Sequence, residues 1–88
     1  MSSEFDLARI VRSKAGRDKG KYFVILKSDT PYSFIANGKL RKSNSPKKKK
    51  NKHLQGGFGF SELVFNRIKS GGSVTDAELR RELEPFEV

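Results

Sequence analysis

The chain has 88 residues, no cysteine and a net charge of +9, and these three facts exclude several classes of protein. A chain of this length forms one small domain with a limited core. Without cysteine it has neither disulfides nor thiolate metal sites, which fits a reducing cytoplasm. No apolar run approaches the roughly 18 residues that a membrane span requires, and the N-terminus lacks the apolar segment of a signal peptide. We therefore expect a cytoplasmic monomer without membrane association.

The positive charge is concentrated in one part of the chain. Residues 9–52 hold fifteen lysines and arginines against two aspartates, a net charge of +13, whereas residues 53–88 carry a net charge of −2. On a folded surface such a dense block of like charge is tolerated best where a polyanion binds, although it also occurs as a solvated, solubilising face. The charge distribution favours nucleic acid as the partner.

The first predicted element is a β-loop-β unit whose connection contains two glycines and four cations. Residues 7–13 mix β-branched residues with arginines, residues 22–26 are continuously apolar, and strands are predicted at 7–13 and 21–27. Between them, Gly16 and Gly20 can adopt positive φ, which lets the backbone reverse sharply and expose its N–H groups. The four cations are Lys14, Arg17, Lys19 and Lys21. This composition predicts a turn that binds phosphate.

Two further strands are predicted at residues 32–36 and 39–43, joined by a two-residue turn at Asn37-Gly38. A short fifth strand is predicted at residues 52–55. Closing such a meander on itself removes exposed strand edges. The predicted fold class is therefore mainly β, a small SH3-like barrel, with an OB-type barrel as the alternative.

A lysine-rich run lies within residues 43–53, which we expect to form a basic, mobile loop between two strands. Four consecutive lysines are unspecific by themselves, since they also occur in disordered arms, localisation tracts and soluble loops. Between two strands, however, the ends of the run are held while its side chains can follow successive phosphates.

The aromatic residues on the predicted strands are expected to divide between surface and core. Tyr22 and Tyr32 are candidate surface rings, because a phenol keeps a polar end in water. Phe23 and Phe34 are assigned to packing.

The tail from residue 56 onward changes character, and we expect it to be helical. Helices are predicted at residues 61–69 and 75–83, the second with a capping box formed by Thr75 and Glu78. Pro85 ends this helix because proline lacks the N–H that would continue it. Residues 1–55 are thus predicted to form the barrel with its basic loop, and residues 56–88 a helical extension that packs against the barrel or a partner.

The glycine turn, which reads Gly-Arg-Asp-Lys-Gly over residues 16–20, resembles the KOW motif, a β-loop-β element of ribosomal proteins and transcription elongation factors. The likeness continues through residues 32–36, 37–42 and 46–54, in an order similar to that of the large-subunit ribosomal protein family called L-fourteen-e in archaea and eukaryotes. It covers about the first two thirds of the chain, and the tail has no counterpart in it. The resemblance implies a barrel of the KOW type that binds ribosomal RNA.

Charge, turn and resemblance together predict an RNA-binding protein, ribosomal or ribosome-associated, that contacts structured ribosomal RNA through phosphates and shape. The alternative is a protein-interaction module, like the KOW domains of elongation factors, whose C-terminal helices dock onto a larger partner. The predicted RNA-binding residues are Lys14, Gly16, Arg17, Lys19, Gly20, Lys21, Lys39, Arg41, Lys42, Lys47, Lys48, Lys49, Lys50, Lys52 and His53.

No catalytic residue, metal or cofactor is predicted. Residues 16–21 have three residues between their glycines and Tyr22 after the lysine, whereas a P-loop needs four residues and then Ser or Thr. His53 is the single histidine, so a histidine metal cluster or a Cys/His nucleophile pair cannot be assembled. We therefore expect a protein that is not an enzyme.

Overall fold

The computed structural model describes residues 4–87 and has a five-stranded antiparallel sheet followed by two helices. The strands are β1 (Ile10–Ser13), β2 (Tyr22–Asp29), β3 (Tyr32–Ala36), β4 (Lys47–Lys50) and β5 (Leu54–Gln55). The helices are α1 (Glu62–Lys69) and α2 (Asp76–Leu83), with short 3-10 turns at Asn51–His53 and Glu84–Phe86. No helix within residues 4–87 has the length and apolar character needed to cross a bilayer.

The strand order is β4-β3-β2-β1-β5, so the last strand returns across the molecule to pair with the first. Ser13 of β1 lies opposite Leu54 of β5, while Ile10 lies opposite Val24 of β2. All neighbouring strands are antiparallel. The prediction of a mainly β protein is confirmed, and the sheet is compatible with a small barrel-like fold.

The strand predicted at residues 39–43 is absent, and Asn37-Gly38 does not form a two-residue hairpin. The side-chain Oδ1 of Asn37 accepts hydrogen bonds from the backbone N–H groups of Lys39 and Arg41, at 3.0 and 3.1 Å. The backbone N–H groups of Asn37 and Gly38 both donate to the carbonyl of Arg41. The asparagine therefore closes a compact loop, because its side chain offers the backbone an alternative to ladder bonds.

The fourth strand is instead formed by the lysine run itself. Lys47 lies opposite Ile35 and Lys50 lies opposite Tyr32 in an antiparallel register. The prediction of a loop over residues 43–53 was therefore wrong for residues 47–50. The run can be a strand because it lies at the edge of the sheet, where Lys47, Lys48 and Lys50 remain exposed to water.

Both predicted helices are present, and each begins at a side-chain cap. The Ser61 hydroxyl accepts from the backbone N–H of Val64 at 3.1 Å, and the capping box of Thr75 and Glu78 is complete. A hydrogen bond from the Thr75 backbone, followed in importance by one from the Arg67 guanidinium, lowers the pKa of Glu78. The N-terminus of each helix is thus satisfied by a local side chain, and for α2 this is the cap that the sequence predicted.

Each face of the sheet carries a cluster of buried apolar side chains. Residues at alternate positions on β1 and β2, among them Val11 and Phe23, form one cluster with Ile25, Ile35 and Leu54. The other face of the sheet forms a second cluster, which contains fully buried side chains from both helices. This second cluster consists of Ala8, Ile10, Val24, Ala36, Val64, Val74, Leu79 and Leu83. The tail therefore covers one face of the sheet and shares its core.

Candidate nucleic-acid interface

A basic groove of 570 Å³ lies between the glycine turn and the lysine strand. Most of its wall is formed by the turn, by β4 and by the 3-10 turn that follows. The residues that line the groove are Ala15, Gly16, Arg17, Asp18, Tyr32, Arg41, Lys47, Lys48, Lys49, Lys50, Lys52 and His53. The fold thus brings together two basic segments that are about thirty residues apart in the sequence.

Both glycines of the turn have the positive φ that was predicted, but the N–H groups of Lys19, Gly20 and Lys21 are not exposed, because each donates to a carbonyl within residues 13–18. Gly16 and Gly20 have φ values of +76° and +86°, in the left-handed region that favours glycine. The N–H of Gly20 donates to the carbonyl of Ser13 at 2.8 Å, and the N–H of Lys19 donates to that of Gly16 at 3.2 Å. Both glycines are therefore required by the backbone path between β1 and β2.

Lys49 links the lysine strand to this turn. Its ammonium group donates to the hydroxyl of Ser13 at 2.8 Å and to the carbonyl of Ala15 at 3.0 Å. Both acceptors are neutral, and within residues 4–87 Lys49 forms no ion pair. A Cβ atom added at Gly16 would lie 3.9 Å from the ammonium nitrogen. An uncompensated positive charge is therefore held in a defined position at the mouth of the turn.

The acidic residue of the turn does not reduce this charge at the surface. Asp18 is buried, with 4% exposure, and accepts hydrogen bonds from Nε and Nη2 of Arg41 at 3.3 and 3.2 Å. A buried carboxylate requires such a partner, because an unpaired one would be strongly destabilised. The pair fastens the loop at residues 37–42 to the glycine turn, and Arg41 thereby serves to position the groove as well as to line it.

Helix α2 holds the other side of the same loop. Arg80 donates to the carbonyl of Gly38 at 2.6 Å, and the Asp76 carboxylate accepts from the N–H of Ser43 at 2.6 Å. A Cβ atom at Gly38 would lie 2.3 Å from the carbonyl oxygen of Asp76, so only glycine fits beneath the helix. The sequence pattern linked neither of these tail residues to the basic surface, since both are remote in sequence from the glycine turn.

The predicted binding residues divide into two groups. Nine of them line the groove: Gly16, Arg17, Arg41, Lys47, Lys48, Lys49, Lys50, Lys52 and His53. The remaining six lie outside its lining: Lys14, Lys19, Gly20, Lys21, Lys39 and Lys42. Lys39 faces a different part of the surface, where its ammonium group forms an ion pair of 3.4 Å with Glu87.

Two of the aromatic assignments were wrong. Tyr22 is not a free surface ring, because it packs against Phe58 and Phe86 with centroid distances of 5.2 and 5.6 Å. Phe34 is half-buried and belongs to neither core cluster, whereas Phe23 is fully buried as predicted. The sequence did not predict the orientation of β3, in which Ser33 rather than Phe34 faces the core.

No protein-family model matches the chain, and no curated protein matches it. Among residues 4–87 there is also no group of three or more His, Cys, Asp or Glu side chains arranged to hold a metal ion.

Proposed function

We propose that this protein binds structured RNA through the basic groove. The observation that carries the proposal is the meeting of the glycine turn and the lysine strand around one concave, cation-lined surface. Arg17 and the lysines of β4 have no carboxylate partner within residues 4–87, so their charge remains available to phosphates. Neutralising each phosphate releases condensed counterions, which gives affinity without reading base sequence.

Resemblance supports the finer assignment of this RNA as ribosomal. The turn, the Asn37 loop and the lysine run occur in the order expected for a KOW-type, SH3-like barrel of the L-fourteen-e kind. We accordingly propose a cytoplasmic, non-enzymatic protein that belongs to the ribosome or associates with it. Crosslinking in cells, followed by sequencing of the attached RNA, tests this assignment, and RNA reads without enrichment of ribosomal sequences would contradict it.

RNA binding through the groove is tested by removing two cations from opposite walls. Arg17 and Lys47 are exposed and line the groove from the turn and from β4. Changing both to alanine should reduce the slope of log affinity against log salt by up to about 2, at roughly 0.7 to 0.9 per lost phosphate contact. The measurement is a fluorescence anisotropy titration of a ribosomal RNA stem-loop at several salt concentrations.

The matched control is the double change Lys69→Ala and Arg81→Ala. It removes the same charge from exposed positions on α1 and α2, outside the groove. We expect the control to lower affinity less and to leave the salt slope near that of the parent. Equal slopes for the two double variants would show that the groove is not the phosphate site.

A protein-interaction module is the second candidate, and the exposed Phe60 is the observation that favours it. Its ring is 51% exposed and lies beside a groove formed by the N-terminal segment and α1. The C-terminal helix α2 is less suited to such docking, because its apolar residues Leu79 and Leu83 are fully buried in the core. Docking through Phe60 would be weakly sensitive to salt, whereas RNA binding through the groove would weaken steeply.

A further inference from the structure

The outer face of β3 carries two aromatic rings that the core does not use. Ser33 and Ile35 are fully buried, so the alternate residues Tyr32 and Phe34 lie on the opposite face of the strand. The Ser33 hydroxyl donates to Oδ1 of Asn51 at 2.5 Å, which satisfies a serine at an inward position. Both rings are half-buried and neither belongs to a core cluster.

Each ring is covered by a lysine rather than by an apolar side chain. The ammonium group of Lys48 lies 4.4 Å from the centroid of Tyr32, and that of Lys27 lies 5.5 Å from the centroid of Phe34. Such contacts are weak at exposed sites. A long lysine side chain can leave the ring for a phosphate at little cost, and its departure uncovers an aromatic face.

The spacing of the two rings matches that of consecutive nucleotides. Residues two apart on a strand are separated by roughly 6.6 Å along its axis, a distance that one extended nucleotide can span. Tyr32 also lines the basic groove, so the aromatic surface is continuous with the phosphate-binding surface.

We propose that Tyr32 and Phe34 form a stacking surface for two consecutive unpaired bases of the RNA whose phosphates occupy the basic groove. The inference rests on the proposed function and specifies its ligand: RNA with an unpaired loop or bulge, rather than uniform duplex. Base stacking on aromatic side chains tolerates any sequence, because every base has a π face. Lys27 and Lys48 exchange their ring contacts for contacts with the phosphates of the same two nucleotides.

The first test uses the unmodified protein and two RNA ligands of equal charge. One is a hairpin with a two-uridine bulge, and the other is the same hairpin with abasic ribose at both bulge positions. We expect the base-containing hairpin to bind at least about fivefold more tightly for each base that stacks. Equal affinity for the two hairpins would overturn the stacking proposal.

The second test uses ring variants. Tyr32→Ala and Phe34→Ala should each remove most of the affinity that one stacked base contributes, without changing the salt slope. Tyr32→Phe should retain that affinity, because it keeps the aromatic ring. The matched control is Phe60→Ala, since Phe60 is another aromatic ring beneath a cation, with the Arg9 guanidinium 5.5 Å from its centroid, and it lies outside the basic groove. The proposal would be contradicted if the Tyr32→Ala and Phe34→Ala variants bound the bulged hairpin with the same affinity as the Phe60→Ala variant.

A third measurement is independent of whether the variants fold. In the parent protein, side-chain NMR signals of Tyr32 should shift upfield when the bulged hairpin binds, while those of Tyr22, packed against Phe58, should change little. Unchanged chemical shifts of the Tyr32 ring in the complex would refute stacking. If the Arg17/Lys47 change lowers affinity but the two hairpins bind equally, only the stacking proposal is contradicted. If neither hairpin binds, the proposed RNA-binding function is contradicted as well.

Discussion

Replacing Leu79 by alanine should destabilise the sheet as well as the helix that carries this residue. Leu79 is fully buried in the cluster that also contains Ile10, Val24 and Ala36 of β1, β2 and β3. Truncating a buried leucine removes its transfer free energy and leaves a cavity, at a cost of about 2–5 kcal/mol. A small domain has a total unfolding free energy of only about 5–15 kcal/mol, so the change would remove a large share of it.

The assay is urea unfolding of the parent and the variant. Far-ultraviolet circular dichroism and amide NMR signals from the sheet monitor the transition. We expect one transition with both probes and a lower urea midpoint for Leu79→Ala, together with a melting temperature lower by at least about 8 °C, at roughly 4–8 °C per kcal/mol. Arg81→Ala is the matched control, since Arg81 is exposed on the same helix and should change stability by within about 0.5 kcal/mol. If the helix in the variant unfolded at a lower urea concentration than the sheet, and the sheet midpoint stayed at the parent value, the shared core would not be one cooperative unit.

Three further predictions concern the turn, the loop and the helix cap. Gly20→Val should lower both thermal stability and RNA affinity, because φ at this position is +86°; a melting curve identical to that of the parent would contradict this. Gly38→Ala should destabilise the protein and weaken binding, since its Cβ would meet the carbonyl oxygen of Asp76 at 2.3 Å; wild-type stability in urea would exclude the close approach. Because folding lowers the pKa of Glu78, its contribution to stability is present above the ordinary value of 4.5 and is lost as the pH falls through the lowered pKa. The unfolding free energy should therefore fall less on acidification in Glu78→Gln than in the parent, and parallel pH profiles would refute the assignment.

The start of α2 and the glycines of the first turn were predictable from the sequence, whereas the Asn37-Gly38 hairpin was not borne out. The capping box of Thr75 and Glu78 determines where α2 begins through contacts only three residues apart, and the structure contains it. The glycines of the first turn have the positive φ values that their position indicated. In these places local chemistry and tertiary structure require the same conformation.

The fourth strand and the orientation of the third could not be obtained in the same way. Four lysines have low strand propensity, and Lys47–Lys50 becomes a strand only because β3 offers an unpaired edge, three of the lysines remain exposed and Lys49 finds hydrogen-bond acceptors in the glycine turn. Similarly, Phe34 was assigned to packing, whereas in the structure Ser33 occupies the buried position and Phe34 lies on the opposite face of the strand. The partner that lets the serine be buried instead, Asn51, lies eighteen residues away. Both outcomes depend on contacts between segments that are distant in sequence.

The residue types of the candidate groove were predictable, but the hydrogen bonds that hold its segments together were not. The turn and the lysine run were recognised as basic segments, and the structure brings them together. That Lys49 would hydrogen-bond to Ser13, and that Arg80 would hold the loop at Gly38, follows from how the sheet and the tail pack. Charge counts identify cations, but not which of them also position the surface.

The lysine strand has a consequence for self-association. Because β4 is at one edge of the sheet, its outer N–H and C=O groups offer a template for pairing with a strand of another molecule. Two such edges would place eight ammonium groups close together, and their repulsion opposes that pairing as long as the charges are unneutralised. A bound polyanion that neutralises the lysines removes the repulsion, whereas high salt only weakens it. The ratio of polyanion to protein, as well as the salt concentration, is therefore expected to determine whether the protein remains dispersed in solution.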